Sequence, residues 1–169
     1  LFREALELAR QTFPPGHPTI GRSLTNVAGL LQAQGKLAEA APLFREAVDI
    51  FRKALPAGHP DTATSLHNLA FLLVQREEFA EAEALAREAL ALRRQGRPAG
   101  HPDIANSLSS LAASVRGQGK LAEAEQHNRE ALEIRQETLP AGHPDIAGSL
   151  NNIAQILQEQ DQLRTGGPQ

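Results

Sequence analysis

The residues best suited to chemistry in this chain are its histidines, because four of the six recur in a Gly-His-Pro triplet every 42 residues. Imidazole nitrogens are common zinc ligands, so a repeated histidine could indicate a metal site. Packed helices, however, lie about 8–10 Å apart, whereas nitrogens that share one zinc ion must lie within roughly 3–4 Å of one another. We therefore expect the repeated histidine to be a loop residue whose ring hydrogen-bonds a helix end, held extended by the following proline. The four residues are His17, His59, His101 and His143.

The other residues form no recognisable catalytic or cofactor motif. His67 and His127 have no cysteine, aspartate or second histidine at ligand spacing. The sequence contains no cysteine, no glycine-rich phosphate loop, no Gly-x-Ser-x-Gly elbow and no His-Glu-x-x-His motif. Glutamates such as Glu81 and Glu123 occur in Ala-Glu-Ala contexts, where they are expected to pair with arginine or lysine on a solvated helix face. We expect no enzymatic activity, no cofactor and no metal ion.

Composition restricts the class of protein further. The 169 residues are 41% hydrophobic, mostly alanine and leucine, which allows one domain with a real core. The net charge is -3 and no basic block is present, so nucleic acid is not an expected partner. No apolar run approaches the ~20 residues of a membrane span, so no membrane partner is expected. The absence of cysteine favours an intracellular, cytoplasmic location. Because the chain begins at Leu1 within a repeated pattern, we expect it to be part of a longer protein.

Comparison of the sequence with itself predicts a repeat architecture with a period of 42 residues. Each period contains two amphipathic helical patterns, which we call helix A and helix B. Helix A is predicted at about residues 60–75 in the second period, with Leu66, Leu69 and Leu73 on one buried stripe. Helix B is predicted at about residues 37–53 in the first period.

The segments that join helix A to helix B are too short for anything but an antiparallel hairpin. Two of them contain Gln-Gly-Lys around Gly35 and Gly119, where glycine suits a left-handed turn residue. The second period has Glu77 instead, which is expected to strain its turn by roughly 1 kcal/mol. The order B, A, B, A, B, A, B, A predicts eight helices in a single array over residues 1–163, followed by a disordered tail at 164–169.

The small residues identify the kind of repeat. Every helix A carries a Leu-Ala pair or a close variant, and helix B of the first period carries Ala40-x3-Phe44-x2-Ala47, as tetratricopeptide repeats do. The chain resembles the kinesin light chain type of tetratricopeptide repeat, whose 42-residue units contain similar Gly-x-His-Pro, Leu-x-Asn-Leu-Ala and Gln-Gly-Lys segments. The resemblance implies an all-α, right-handed superhelical solenoid of antiparallel helix pairs, with the A helices lining a concave face. Ala86 and Asn128 replace the aromatic Phe44, so looser packing is expected in the second and third repeats.

Candidate binding residues follow from this concave face, because repeat proteins use it to hold extended ligands. On helix A of the second period, His67, Phe71 and Val74 share a face away from the buried stripe. Phe71 and Val74 therefore either pack under the neighbouring helix or form an apolar patch in the groove. The complete candidate set for a peptide or partner protein is Arg22, Asn26, His67, Asn68, Phe71, Val74, Arg116, Asn151, Asn152 and Gln155.

The asparagines of this set, Asn26, Asn68 and Asn152, match a position at which tetratricopeptide repeats bracket the backbone of a bound peptide, and an amide can both donate and accept. Alternatively, they hold the neighbouring repeat. Arg22 and Arg116 are the only basic side chains expected on the groove wall. The cations of a clamp for a terminal carboxylate are absent from the matching positions, so that variety of the family is not expected.

These observations predict a non-enzymatic scaffold that binds a peptide or a partner protein in its concave groove. The alternative is a ligand-sensing, regulatory repeat module of a larger signalling ATPase or protease, since such proteins often carry repeats of this type. The flanking sequence of the parent gene would separate the two.

Uncapped terminal helices are expected to allow end-to-end self-association. The excess of arginine over lysine, 14 to 3, favours a bacterial, GC-rich genome.

Overall fold

The computed structural model describes residues 1–166 as eight α-helices joined by short loops, with no strand among these residues. The helices are α1 (Phe2–Thr12), α2 (Pro18–Ala33), α3 (Leu37–Ala54), α4 (Pro60–Gln75), α5 (Phe79–Gly96), α6 (Pro102–Arg116), α7 (Leu121–Thr138) and α8 (Pro144–Arg164). The even-numbered helices are the A helices of the predicted repeat, and the odd-numbered helices are the B helices. The all-α architecture and the order of the elements are confirmed.

Every A helix begins in the same way because of the repeated Gly-His-Pro triplet. The proline is the first helical residue, where the N–H that it lacks would have no helical partner. The histidine before it is the N-cap, and its Nδ1 accepts a hydrogen bond from the backbone N–H two residues later, at 3.1–3.2 Å in all four repeats. The histidine therefore caps the helix that it precedes.

The turns inside the repeats have the predicted left-handed residue. Gly35 and Gly119 have φ of 74° and 76°, and Glu77 has φ of 62° at the corresponding position. Glu77 is the one non-glycine residue with positive φ within residues 1–166. Because a side chain raises the energy of this conformation, the turn between α4 and α5 is the strained one of the three.

The helices stack so that the A helices form the inner layer. Each A helix packs antiparallel against the following B helix, and consecutive A helices also contact one another, α2 with α4 and α4 with α6. Consecutive B helices are linked mainly by arginine–glutamate pairs between residues 36 positions apart, such as Arg45 with Glu81 at 2.8 Å and Arg52 with Glu88 at 2.5 Å. The closer approach of the A helices places them on the concave side of the solenoid.

The core consists of the apolar stripes that the sequence predicts. Leu66, Leu69 and Leu73 are buried in α4. The position of Phe44 is also buried where Ala86 and Asn128 replace it. The Oδ1 atom of Asn128 is buried without a hydrogen-bond partner, as are both ring nitrogens of His127. The third repeat therefore contains buried polar atoms where the first has an aromatic ring, and such atoms weaken packing.

The last helix continues beyond the position at which the earlier A helices end. Arg164, the first residue of the expected disordered tail, is the last residue of α8. Thr165 and Gly166 form a turn, in which the Thr165 N–H donates to the carbonyl of Asp161. The rest of the expected tail, 167–169, lies outside the described residues. Over residues 1–166, no helix combines the length and the apolar character needed to cross a bilayer.

Candidate functional site

The candidate groove residues lie on the faces by which consecutive A helices contact one another. Five polar side-chain pairs join these helices, and the fifth, between Arg116 and Glu159, is described below. Arg22 contacts Asp61 at 2.8 Å, Gln32 contacts Gln75 at 2.7 Å, the His67 ring lies 3.2 Å from the Ser110 hydroxyl, and Arg116 contacts Gln155 at 3.0 Å. The same face of each A helix therefore serves the contact between repeats and the wall of the groove.

The two arginines predicted for the groove wall are both ion-paired. The Arg22 guanidinium lies against the Asp61 carboxylate. Arg116 donates to both carboxylate oxygens of Glu159, a pairing that raises the pKa of Arg116 and lowers that of Glu159. Their charges are therefore largely neutralised within the protein.

His67 is a contact between repeats. Its ring is half-buried between α4 and α6, and Nδ1 lies 3.2 Å from Ser110 Oγ. Burial, and then the positive charge of Arg93, lower the pKa of His67 to about 4. The imidazole is therefore neutral at neutral pH.

Four asparagine side chains of the candidate set leave their amides unpaired within residues 1–166. Asn26, Asn151 and Asn152 are exposed and Asn68 is half-buried. Gln155, by contrast, accepts a hydrogen bond from Arg116. The asparagine amides are therefore available to a ligand, whereas the Gln155 carbonyl is already occupied.

The apolar pair of α4 divides between the two alternatives that the sequence left open. Val74 is half-buried and packs against the core. The Phe71 side chain is 48% exposed, and no other large apolar residue between α3 and α7 is as open to solvent. Phe71 therefore belongs to the surface, while Val74 belongs mainly to the core.

An open cavity of about 240 Å³ lies between α2, α3 and α4. Its walls carry Arg22, Asn26 and Thr64, and the Phe51 ring of α3 contributes to its lining from beneath the A helices. The cavity contains polar groups around an aromatic floor, so it could hold a small apolar side chain with a hydrogen-bonding backbone.

The floor of the groove was missed by the sequence analysis. We call the space between consecutive A helices, with the intervening B helix beneath, a junction: the first is α2–α3–α4, the second α4–α5–α6 and the third α6–α7–α8. The same position of the repeat supplies each floor, with Phe51 in the first junction, Arg93 in the second and Arg135 in the third. Both arginines are buried. Aligning the repeats at the apolar position of Phe51 would have revealed them, and Arg22 and Arg116 are thus not the only cations that line the groove.

The two floor arginines hold the A helices through neutral oxygen atoms. Arg93 Nη1 donates to the Asp103 carbonyl at 2.9 Å and to Ser107 Oγ at 2.7 Å. Arg135 Nη1 donates in the corresponding way to Ser149 Oγ at 2.6 Å. Burial lowers the pKa of both guanidinium groups, although an arginine stays protonated at any physiological pH. Within residues 1–166, no group of three or more acidic or histidine side chains is placed to hold a metal ion.

Sequence profiles described as tetratricopeptide repeat match residues 1–53, 20–95 and 104–145. These matches cover most of the chain, which therefore belongs to the tetratricopeptide repeat family. Repeats of this family generally act as protein-interaction scaffolds, and their fold is typically non-enzymatic. No curated protein matches the sequence significantly.

Solved structures place the chain near kinesin light chain-like proteins. A Podosopora anserina protein with nearly identical TPR-like repeats, described as a kinesin light chain, is 26% identical with a TM-score of 0.80, covering 97% of this chain and 78% of that one. BtubC from P. vanneervenii is 23% identical with a TM-score of 0.83, covering 96% and 65%. The first TPR domain of human RPAP3 is 21% identical with a TM-score of 0.64, covering 86% and 98%. The last two similarities concern the fold alone.

Proposed function

We propose that the concave groove along the A helices binds an extended peptide segment of a partner protein. The observation that carries the proposal is the row of unpaired amides at one position of the repeat, Asn26, Asn68 and Asn152. An amide can donate to a peptide carbonyl and accept from a peptide N–H at the same time. Neighbouring packed helices lie about 8–10 Å apart, which corresponds to roughly three residues of an extended chain. Asn26 and Asn68 thus suit peptide groups about three residues apart, and Asn152, which lies two repeats beyond Asn68 with Ser110 between them, suits one about six residues further on.

Phe71 supplies the apolar contact of this proposed site. Its half-exposed ring lies on the groove face of α4, and a peptide side chain that covers it would remove apolar surface from water. Val74, three residues further along α4, packs on the core. The groove offers little other aromatic surface, so one short peptide should bind in the micromolar range, at about -8 kcal/mol. Arg22 and Arg116 would contribute little to an acidic peptide, because Asp61 and Glu159 already neutralise them.

A peptide-library screen against the protein and two variants tests this function. Phe71→Ala should weaken binding of the selected peptides by ~1–3 kcal/mol and Asn68→Ala by less, because the ring contributes the larger contact. Leu8→Ala, which truncates an exposed leucine of α1 outside the groove, is the matched control, and binding is measured at a concentration at which the chains are monomeric. All variants are compared at equal folded fraction. If the selected peptides bind Asn68→Ala and Phe71→Ala as tightly as they bind the parent protein, the groove is not the site.

We also propose that copies of the chain associate end to end, as the outer faces of the terminal helices allow. Leu1, Phe2 and Leu8 of α1 are exposed, and so are Leu150 and Leu157 of α8. The positions that correspond to Leu150 in α2, α4 and α6 are fully buried, whereas Leu150 is 50% exposed. Light scattering should therefore show association that increases with protein concentration. A strict monomer at high concentration would contradict this second proposal and leave the groove proposal untouched.

A further inference from the structure

We propose that Arg135 is the carboxylate-binding subsite of the groove, so that the bound segment carries an aspartate or glutamate side chain over the third junction. The inference rests on the proposed function, because it names the chemistry of one residue of the bound segment. Arg135 belongs to a B helix, at the floor of the groove, whereas Arg22 and Arg116 belong to A helices.

The Arg135 guanidinium is a buried cation that has only neutral partners. The residue is 9% exposed. Nη1 donates to Ser149 Oγ at 2.6 Å and to Ser109 Oγ at 3.0 Å, and Nη2 donates to Asn106 Oδ1 at 3.1 Å. Within residues 1–166, no carboxylate lies within 4.0 Å of it. The Asp145 carboxylate, which is exposed, acts on it only from a greater distance. A buried charge without a close counter-ion is costly, so an anion from a ligand would stabilise the site.

Two N–H groups of Arg135 remain without a partner. A guanidinium has five N–H groups, and the three hydrogen bonds above use both of those on Nη1 and one on Nη2. The other two lie on Nη2 and on Nε. Nε has no hydrogen-bond partner. It is not fully buried, because in the described part of the chain the fully buried side-chain atoms without a partner belong to His127 and Asn128. Nη2 and Nε are the two nitrogens through which a guanidinium can receive both oxygens of one carboxylate.

The groove side of this subsite is open. Asn106 is exposed. On α8, Gly148 takes the place that Arg22 has in α2, and a Cβ atom added to it would find no heavy atom within 4 Å. An approaching side chain therefore meets no bulky residue at this position.

Arg93 has the same place in the second junction, where the space beside it is small. It borders a pocket of about 20 Å³, which is room for one water molecule and too small for a carboxylate. Arg97 lies 3.6 Å from the Asp103 carboxylate beside it. Phe51, at the floor of the first junction, has no charge. We therefore expect an acidic preference only at the residue of the bound segment that lies over the third junction.

The test is a selection from a library of N-acetylated, C-amidated dodecapeptides, in which only side chains can supply a carboxylate. The parent protein should enrich aspartate or glutamate at one position of the peptide. The test variant is Arg135→Phe combined with Ala105→Gly, because it reproduces the pair formed by Phe51 and Gly21 in the first junction. This variant should lose the acidic preference by about tenfold or more while it keeps the apolar preference that Phe71 provides. The control is Arg94→Gln, which removes one positive charge from the outer, B-helix layer, where Arg94 pairs with Glu130.

Several outcomes would overturn the inference. Selection of peptides without an acidic preference refutes it and leaves the proposed function intact, whereas failure to select any peptide refutes both. An acidic preference that survives in the variant, or that Arg94→Gln removes equally well, assigns the charge to another residue. If circular dichroism shows that the variant does not fold, the inference is tested with the unmodified protein and an altered peptide. Glutamate→glutamine in the selected peptide should weaken binding about tenfold, and a change below about twofold refutes the inference.

Discussion

Phe51 and Arg135 occupy the same position of the 42-residue repeat, beneath two A helices, and they give the two ends of the groove different chemistry. Phe51 packs so closely against α2 that a Cβ atom on Gly21 would lie 2.9 Å from its ring. In the third junction Ala105 corresponds to Gly21, and Arg135 donates to three polar side chains instead. The backbone of the repeat thus stays constant while one pair of residues changes the floor from apolar to cationic.

Because of this difference, we expect the first junction to contribute mainly to stability and the third junction mainly to ligand recognition. An aromatic floor fills volume between three helices, so it contributes mainly to the core. A guanidinium floor contributes hydrogen bonds and a charge that the protein does not neutralise at close range, so its larger effect should be on a ligand. In a repeat protein each junction depends mostly on its neighbours, which allows the two roles to occur in one short chain.

The largest expected effect is the loss of the aromatic floor. Phe51→Ala should lower the free energy of unfolding by ~3–5 kcal/mol, because the ring is 2% exposed and its removal leaves a cavity. Arg135→Met should change it by less than ~1.5 kcal/mol, because the stem still packs, the exposed Asn106 can bind water and the buried Ser149 hydroxyl keeps its hydrogen bond to the Asp145 carbonyl. Urea denaturation followed by circular dichroism measures both values. Equal losses at the two positions would remove the distinction between the two floors.

The second junction differs from the third by a histidine, and this difference should make stability depend on pH. His67 has a folded pKa of about 4 against an ordinary value of 6.5, so the unfolded chain binds a proton more readily. Its contribution is complete above pH 6.5 and is lost as the pH falls towards 4, by up to about 3 kcal/mol. His67→Ser, which copies Ser109 of the third repeat, should abolish this loss.

Denaturation midpoints of the parent and His67→Ser at pH 7.5, 6 and 5 measure the effect. The paired carboxylates with lowered pKa, such as Glu83 with a pKa of about 2, lose their contribution only below about pH 4.5, outside this range. The same decline in parent and variant would show that His67 is not responsible.

The smallest effect concerns the turns that hold the helix pairs together. Glu77→Gly should raise the free energy of unfolding by up to ~1 kcal/mol, because glycine adopts the φ of 62° found there without strain. Gly119→Ala is the reverse control. Its added Cβ meets nothing within 4 Å, so only the positive φ should make it destabilising, by a similar amount. A lower midpoint for Glu77→Gly would refute strain in that turn.

Much of the fold could be predicted because it depends on local patterns that occur four times. The stripe of Leu66, Leu69 and Leu73, the proline at each A-helix start and the positive φ of Glu77 all follow from residues close together in sequence. Periodicity therefore predicts the elements and their order without knowledge of the contacts between them.

The groove floor could not be predicted in the same way because it depends on residues of different repeats. Arg93 and Arg135 occupy the position that Phe51 has in helix B, and no local pattern shows that they are buried, because an arginine is usually a solvated residue. The pairing of Arg116 with Glu159 joins residues 43 positions apart, and it requires the stacking of α6 on α8. The charges of Arg22 and Arg116, which the sequence assigns to a ligand, are thus neutralised by residues of the next repeat. Arg135, which has no close counter-ion, lies beneath the A helices.

The central claim, that an extended peptide binds along the A helices, is tested most directly by nuclear magnetic resonance of the asparagine side chains. In a titration with a selected peptide, the side-chain amide signals of Asn26, Asn68 and Asn152 should shift together and saturate at one affinity. Asn128, which is 3% exposed in α7, is the internal control and should not shift. Saturable binding that leaves the three groove amides unchanged, with shifts confined to the B helices, would contradict the account.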